Sequence, residues 1–98
     1  MGKLESSFQA ELRTTLEFMF PGCIVLKNDP TYLQGIPDLT ILYLGKWAFL
    51  ECKREPKANK RANQSYYVGL AQNWAFGAFI YPENEKEVLE HLYEYFKC

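Results

Sequence analysis

The sequence predicts a mixed α/β domain with element order α-β-β-β-α-β-α and a four-stranded mixed sheet flanked by helices. Three observations predict it. Apolar residues recur every three or four positions near both ends of the chain, the period of a helix packed on one face. Two apolar runs, 39–44 and 47–53, flank a short Gly45-Lys46 turn, as in a hairpin. A helical stretch then separates this hairpin from one more short apolar run. That β-α-β crossover places the last strand parallel to its neighbour.

The first helix is carried by Leu4, Phe8, Leu12, Leu16 and Met19, and Pro21-Gly22 ends it. Cys23–Leu26 reads as the first strand, and Asn28-Asp29-Pro30 breaks into a loop that runs to Gly35. In the hairpin, a glycine first in a two-residue turn suits type II′ geometry. The polar stretch Glu55–Arg61 reads as a loop. Ala62–Trp74 reads as the second helix, with Tyr66, Tyr67 and Leu70 inward. Ala78–Tyr81 is the last strand. Asn84 and Glu87 form a capping box before the last helix, whose inner face is Val88, His91, Leu92 and Tyr95.

Ninety-eight residues, 48% of them hydrophobic, suit one globular domain spanning 1–98 rather than a disordered chain. No apolar run reaches the ~18 residues of a membrane span, and MGKLESSFQAEL lacks the apolar core of a signal peptide. Cys23, Cys52 and Cys98 are odd in number and have no CxxC spacing, which argues against a disulfide framework or a zinc site and for a reducing cytoplasm. The net charge of −1 hides an asymmetry: residues 46–61 carry a balance of +4, and residues 82–98 one of −3. The basic segment permits a polyanionic partner.

The hairpin holds the residues with chemistry. Side chains alternate along a strand, so Trp47, Phe49, Glu51 and Lys53 share one face and Ala48, Leu50 and Cys52 the other. With the turn at Gly45-Lys46, Asp38 falls roughly across from Lys53. Two carboxylates and an ammonium thus gather at the open end of the hairpin. Two carboxylates with a backbone carbonyl between them make an oxygen-rich site for Mg²⁺. Such a metal acidifies water and neutralises phosphate charge, and a lysine can orient that water. The plainer alternative is a turn-capping Asp38 beside a solvated Glu51–Lys53 pair worth little. Gly-x-Pro-Asp, an apolar hairpin, Glu-x-Lys and a following basic loop are together more specific than any one of them.

GIPDLTILYLGKWAFLECK resembles the signature of the PD-(D/E)XK nuclease superfamily, through Pro37-Asp38 and Glu51-Cys52-Lys53. The nearest likeness is to the small phage and virus-type replication-repair nucleases (VRR-NUC), which are related to Holliday-junction resolvases. It extends over LESSFQAEL, the KNDP loop, ANQSYYV and FIYPENEKEVL. The resemblance implies a restriction-endonuclease-like core. It implies that Asp38, Glu51 and the backbone carbonyl of Cys52 bind one or two Mg²⁺ ions, with Mn²⁺ able to substitute. Lys53 would activate the attacking water. A first-helix glutamate completes the site, with Glu5 preferred over Glu11 and Glu17. Gln64 matches the family's helix glutamine near the catalytic lysine, and Cys52 stands where an aliphatic residue is frequent.

The activity so implied is a Mg²⁺-dependent DNA endonuclease, foremost a phage-type Holliday-junction resolvase or branched-DNA nuclease acting as a homodimer, in a phage or prophage setting within a bacterial cytoplasm. A nicking or restriction-type nuclease on the same core is one alternative, and a non-catalytic nucleic-acid-binding module another. Arg54, Lys57, Lys60 and Arg61, with Gln64, are the expected DNA contacts, since basic side chains neutralise phosphates without reading bases. Tyr32, Tyr66, Tyr67 and Trp74 are read as core packing in preference to base stacking, and His91 as structural rather than a metal ligand.

Overall fold

Helical periodicity and strand alternation place the elements close to where the sequence predicts them. The computed structural model describes residues 5–60 and 62–97. Helix α1 spans Glu5–Met19, followed by strands β1 (Ile24–Lys27), β2 (Leu39–Tyr43) and β3 (Lys46–Cys52). Helix α2 (Ala62–Trp74) leads to β4 (Phe76–Ile80), and α3 (Glu85–Lys97) closes the order. Leu4, Arg61 and Cys98 lie outside the described residues. The sheet runs β1-β2-β3-β4, with the first two pairings antiparallel and β3–β4 parallel. The fold is a four-stranded mixed sheet with three helices. Among the described residues no helix is long and apolar enough to cross a membrane.

The two faces of the sheet are covered unequally. Val25, Ile41, Ala48, Leu50, Cys52 and Ile80 point to one side, into a buried cluster with Phe8, Leu12 and Leu16 of α1 and Val88, Leu89, Leu92 and Phe96 of α3. Fully burying each such Leu, Ile or Phe is worth roughly 1.5–3 kcal/mol. Two helices thus clamp one side of the central strand β3. Phe20 packs edge-on to Phe96 at 5.2 Å and tilted to Tyr43 at 5.4 Å, which joins the end of α1 to β2 and α3.

Helix α2 lies on the other side. Gly77 pairs with Phe49 in the parallel ladder, so both face α2. A Cβ on Gly77 would stand 2.5 Å from the Val68 carbonyl oxygen and 2.7 Å from Ala71 Cβ. The small residue lets the helix sit directly on β4. Its buried residues are accordingly small, Val68 and Ala71.

Several expectations are corrected. The hairpin turn is Leu44-Gly45, not Gly45-Lys46, because Tyr43 pairs with Lys46. Both turn residues have positive φ, 53° and 77°, which is the type I′ pattern rather than type II′. Moving the turn by one residue shifts the pairing by two, so the side chains keep their faces and Asp38 faces Glu51 instead of Lys53. Tyr66 points to solvent, and Tyr67 and Leu70 are only partly covered, because the helix seats on its small residues. Tyr32 and Trp74, 90% and 71% exposed, are not core residues either. His91 is exposed, since α3 turns Leu89 and Phe96 inward beside Val88 and Leu92, while Tyr95 is half-buried against the core. Asn84 precedes α3, but its carboxamide binds back to β4, accepting from Tyr81 N–H and donating to the Phe79 carbonyl.

Candidate active site

Asp38 stands just before β2 and Glu51 near the end of β3, so the slipped register puts them side by side. The Asp38 N–H donates to Glu51 Oε1 at 3.0 Å, and the Cys52 N–H donates to Asp38 Oδ2 at 2.9 Å. Each carboxylate thereby closes the ladder beyond its last backbone pair. The Lys53 N–H instead reaches across to the Ile80 carbonyl at 2.8 Å, so β4 holds the other edge of the same strand end.

Glu51 and Lys53 are 2% and 6% exposed, and charges buried that deeply need partners. Gln64, in the first turn of α2, supplies them. Its Nε2 donates to Glu51 Oε2 at 2.6 Å and its Oε1 accepts from Lys53 Nζ at 2.9 Å. Lys53 Nζ is also 3.5 Å from Glu51 Oε2. Among the described residues every buried side-chain nitrogen and oxygen has a hydrogen-bond partner. The plainer reading, a solvated edge pair, does not describe this arrangement.

Burial pushes the Glu51 carboxyl up to about 7, and the Asp38 charge pushes in the same direction. Asp38 is also raised, chiefly by burial, with the Cys52 N–H bond opposing and the Glu5 charge adding. Cys52 turns its thiol into the core, where burial first and the nearby carboxylates second raise its pKa strongly. It is no nucleophile.

The pair opens into a cleft of about 990 Å³. One wall is the loop 30–36, started by an Asx turn in which Thr31 N–H and Oγ1 both donate to Asp29 Oδ1. The other is formed by Arg54, Asn59, Asn63 and Gln64. Gly35, at φ 87°, touches Asn63 where the walls meet. Glu5 lines this cleft from the first turn of α1. Glu11 and Glu17 do not line it, and Glu17 pairs with Arg13 instead. Of the expected DNA contacts, Arg54 and Gln64 line the cleft. Lys57 and Lys60 are exposed on the adjoining loop, with Lys60 Nζ 5.2 Å from the Phe79 ring centroid. Arg61 lies outside the described residues.

One contributor was missed. Asn28, at the exit of β1, takes the Asp38 carbonyl on its N–H at 2.8 Å. Its Nδ2 donates to the Pro37 carbonyl and to Thr40 Oγ1, both at 2.8 Å. It thus grips the chain on both sides of Asp38. Asn-Asp-Pro reads first as a loop breaker, and that reading concealed the clamp.

The donor set suits a hard divalent cation. Two adjacent carboxylates, both raised by burial, would be relieved by a positive charge between them. The Cys52 N–H points toward Asp38, and a strand residue's carbonyl shares the edge of its N–H, so that carbonyl faces the same place. Among the described residues no three His, Cys, Asp or Glu side chains are grouped to hold a metal. Mg²⁺ does not require three, since it is commonly held by one or two carboxylates and several waters.

No protein-family model, curated protein or solved structure matches the chain. The site's own chemistry alone says what it can do.

Proposed function

We propose that this chain is a Mg²⁺-dependent DNA endonuclease of the PD-(D/E)XK type with a restriction-endonuclease-like core, foremost one that cuts branched DNA such as a four-way junction. The observation that carries the reading is the reciprocal Asp38–Glu51 contact, with the buried Lys53 held beside it by Gln64. Asp38, Glu51 and the Cys52 carbonyl would hold the ion, with Glu5 at the mouth of the cleft. When bound, Mg²⁺ makes water more acidic and neutralises charge on a phosphate oxygen.

The protein's own groups do the rest. Lys53 orients the attacking water and faces the charge that develops on the phosphate. Gln64 fixes Lys53 against Glu51, so neither has to reorganise during reaction. Arg54 and the basic loop carrying Lys57, Lys60 and Arg61 neutralise the flanking phosphates. A bond forms between water oxygen and phosphorus as the bond to the 3′ oxygen breaks, leaving 5′-phosphate and 3′-hydroxyl ends. Two copies of the chain would present two such sites to two strands.

The test is cleavage of a labelled four-way junction beside linear duplex and single strand, with Mg²⁺ or Mn²⁺. Paired cuts near the branch are expected, and Lys53→Ala and Glu51→Ala should lower the rate by ~10³-fold or more. Cutting of every substrate would keep the active site and remove the junction preference. The second reading is a nucleic-acid-binding module without catalysis, in which Asp38, Glu51, Lys53 and Gln64 are only a buried polar network. A folded protein that binds DNA but neither binds Mn²⁺ nor cuts would establish that reading.

A further inference from the structure

We infer that the DNA strand in the cleft is unpaired there, with its phosphates along the basic wall and one of its bases stacked on Tyr32. The inference rests on the reading of the cleft as a DNA site. It narrows the substrate to DNA with unpaired nucleotides beside the phosphate in the cleft, such as a flap or a fork. A fully paired four-way junction presents such nucleotides only where it opens at the branch.

The two walls of the cleft differ in charge. The wall 30–36 reads PTYLQGI, without Asp, Glu, Lys or Arg. The facing wall carries Arg54, and the loop that runs on from it carries Lys57 and Lys60. A duplex has phosphates on both of its strands, so a cleft that straddles one meets negative charge on both sides. A single strand has one phosphate edge and one base edge. Sites for it combine a basic track with aromatic side chains on which bases stack. One basic wall opposite one uncharged wall that carries a tyrosine matches the single strand.

Thr31 and Gln34 line the cleft on either side of Tyr32 in the chain. The Tyr32 ring stands at the rim, 90% exposed, and Leu33 beside it is 41% exposed. One exposed aromatic is ordinary in itself, but the backbone that carries this one is braced at both ends. Before it, Thr31 is tied to the Asp29 side chain, and the Tyr32 and Leu33 N–H groups donate to the Asp29 carbonyl at 3.1 and 3.3 Å. Asn28, the residue before Asp29, is bonded to Asp38. After it, the Ile36 N–H donates to the Leu33 carbonyl at 3.2 Å, and Gly35 rests on Asn63 of α2. The backbone of Tyr32 is thus fixed relative to Asp38. A platform placed in advance loses little freedom when a base stacks on it. Every base has a face to stack, so the preference is for unpaired structure and not for sequence.

The test is binding of the full chain to a labelled single strand, a fork and a linear duplex, in chelator and again with Ca²⁺. The fork carries 2-aminopurine in its unpaired arm beside the branch, and cutting is followed separately with Mg²⁺. Wild-type protein should prefer fork and single strand to duplex and should quench the 2-aminopurine. Tyr32→Ala should weaken fork binding by ~10-fold or more and abolish the quench, and Tyr32→Phe, which keeps the ring, should restore both. Equal affinity for fork and duplex overturns the inference, as does a Tyr32→Ala protein that binds and quenches like wild type. If Mg²⁺-dependent cutting persists in either case, the nuclease reading stands. Binding and quench that depend on Tyr32 without any cutting keep the inference and remove the nuclease. A wild-type protein that binds no DNA in either condition overturns both. Should Tyr32→Ala misfold, photocrosslinking of wild type to 5-iodouracil in the same arm decides. A crosslink at Tyr32 supports the inference, and a crosslink elsewhere or none overturns it.

Discussion

Asp38 and Glu51 are bound through each other's strands: the backbone of Asp38 donates to Glu51, and the residue after Glu51 donates to Asp38. The two carboxylates are therefore placed by the hairpin that they help to close. Their repulsion is built into the fold, which has consequences for pH.

Glu51 is raised from an ordinary 4.5 to about 7 by burial and by Asp38. The folded state therefore holds its proton where the unfolded chain has released it. The stabilisation is complete below the unfolded value and is lost as pH rises through about 7. In chelator the protein should be more stable at pH 5 than at pH 8, by about 3 kcal/mol from this group. Asp38 adds in the same direction. Urea unfolding at the two pH values measures the slope, and Glu51→Gln should flatten it. A wild-type protein equally stable at both would contradict the burial of this charge.

Asn28 grips Pro37, Asp38 and Thr40. Asn28→Ala removes two side-chain hydrogen bonds and should cost about 1–2 kcal/mol in denaturant melts. Mn²⁺ titration of the folded variant should show affinity lowered by ~10-fold or more, the usual effect of losing a group that positions a ligand. Unchanged Mn²⁺ affinity would reduce Asn28 to a stabilising contact.

Leu44 takes a left-handed conformation, φ 53°, that leucine adopts at a cost. It is 65% exposed, so little packing depends on it. Leu44→Asn gives the Asn-Gly pair that type I′ turns favour. Thermal melts should show a gain of about 0.5–1 kcal/mol, a rise of several degrees for a chain of this size. A loss of stability would mean that the turn is not type I′.

Gly77 has no room for a methyl group between β4 and α2. Gly77→Ala must push the helix away from a backbone carbonyl and should cost ~1–3 kcal/mol. If the cleft cuts DNA as proposed, the variant should lose cleavage rate more than DNA affinity, because Gln64 rides on that helix. Full activity at wild-type stability would show that α2 seats elsewhere.

Much of this was legible because strand alternation does not depend on register. Trp47, Phe49, Glu51 and Lys53 share a face whichever residues make the turn, so the grouping of the charges survived a misplaced hairpin. The register itself was not legible. Gly45 suits the first position of a type II′ turn and the second of a type I′ turn, and only the latter asks a leucine to take positive φ. On α2 the large aromatics suggested the inner face, but the close approach at Gly77 selects Val68 and Ala71. On α3 Val88, Leu92 and either Tyr95 or Phe96 fit a helical stripe, and packing against Phe20 and Tyr43 decides for Phe96.

Strand β1 lies at the open edge of the sheet, where backbone pairing is least protected, yet it leads directly into the clamp on Asp38. Fraying of four residues there would release Asp38 while α1, α3 and the central strands stay folded. Such sub-global openings cost less than unfolding. If the cleft cuts DNA as proposed, cutting should therefore fade on warming before the core melts, and a strand laid against that edge should raise the temperature at which it fades.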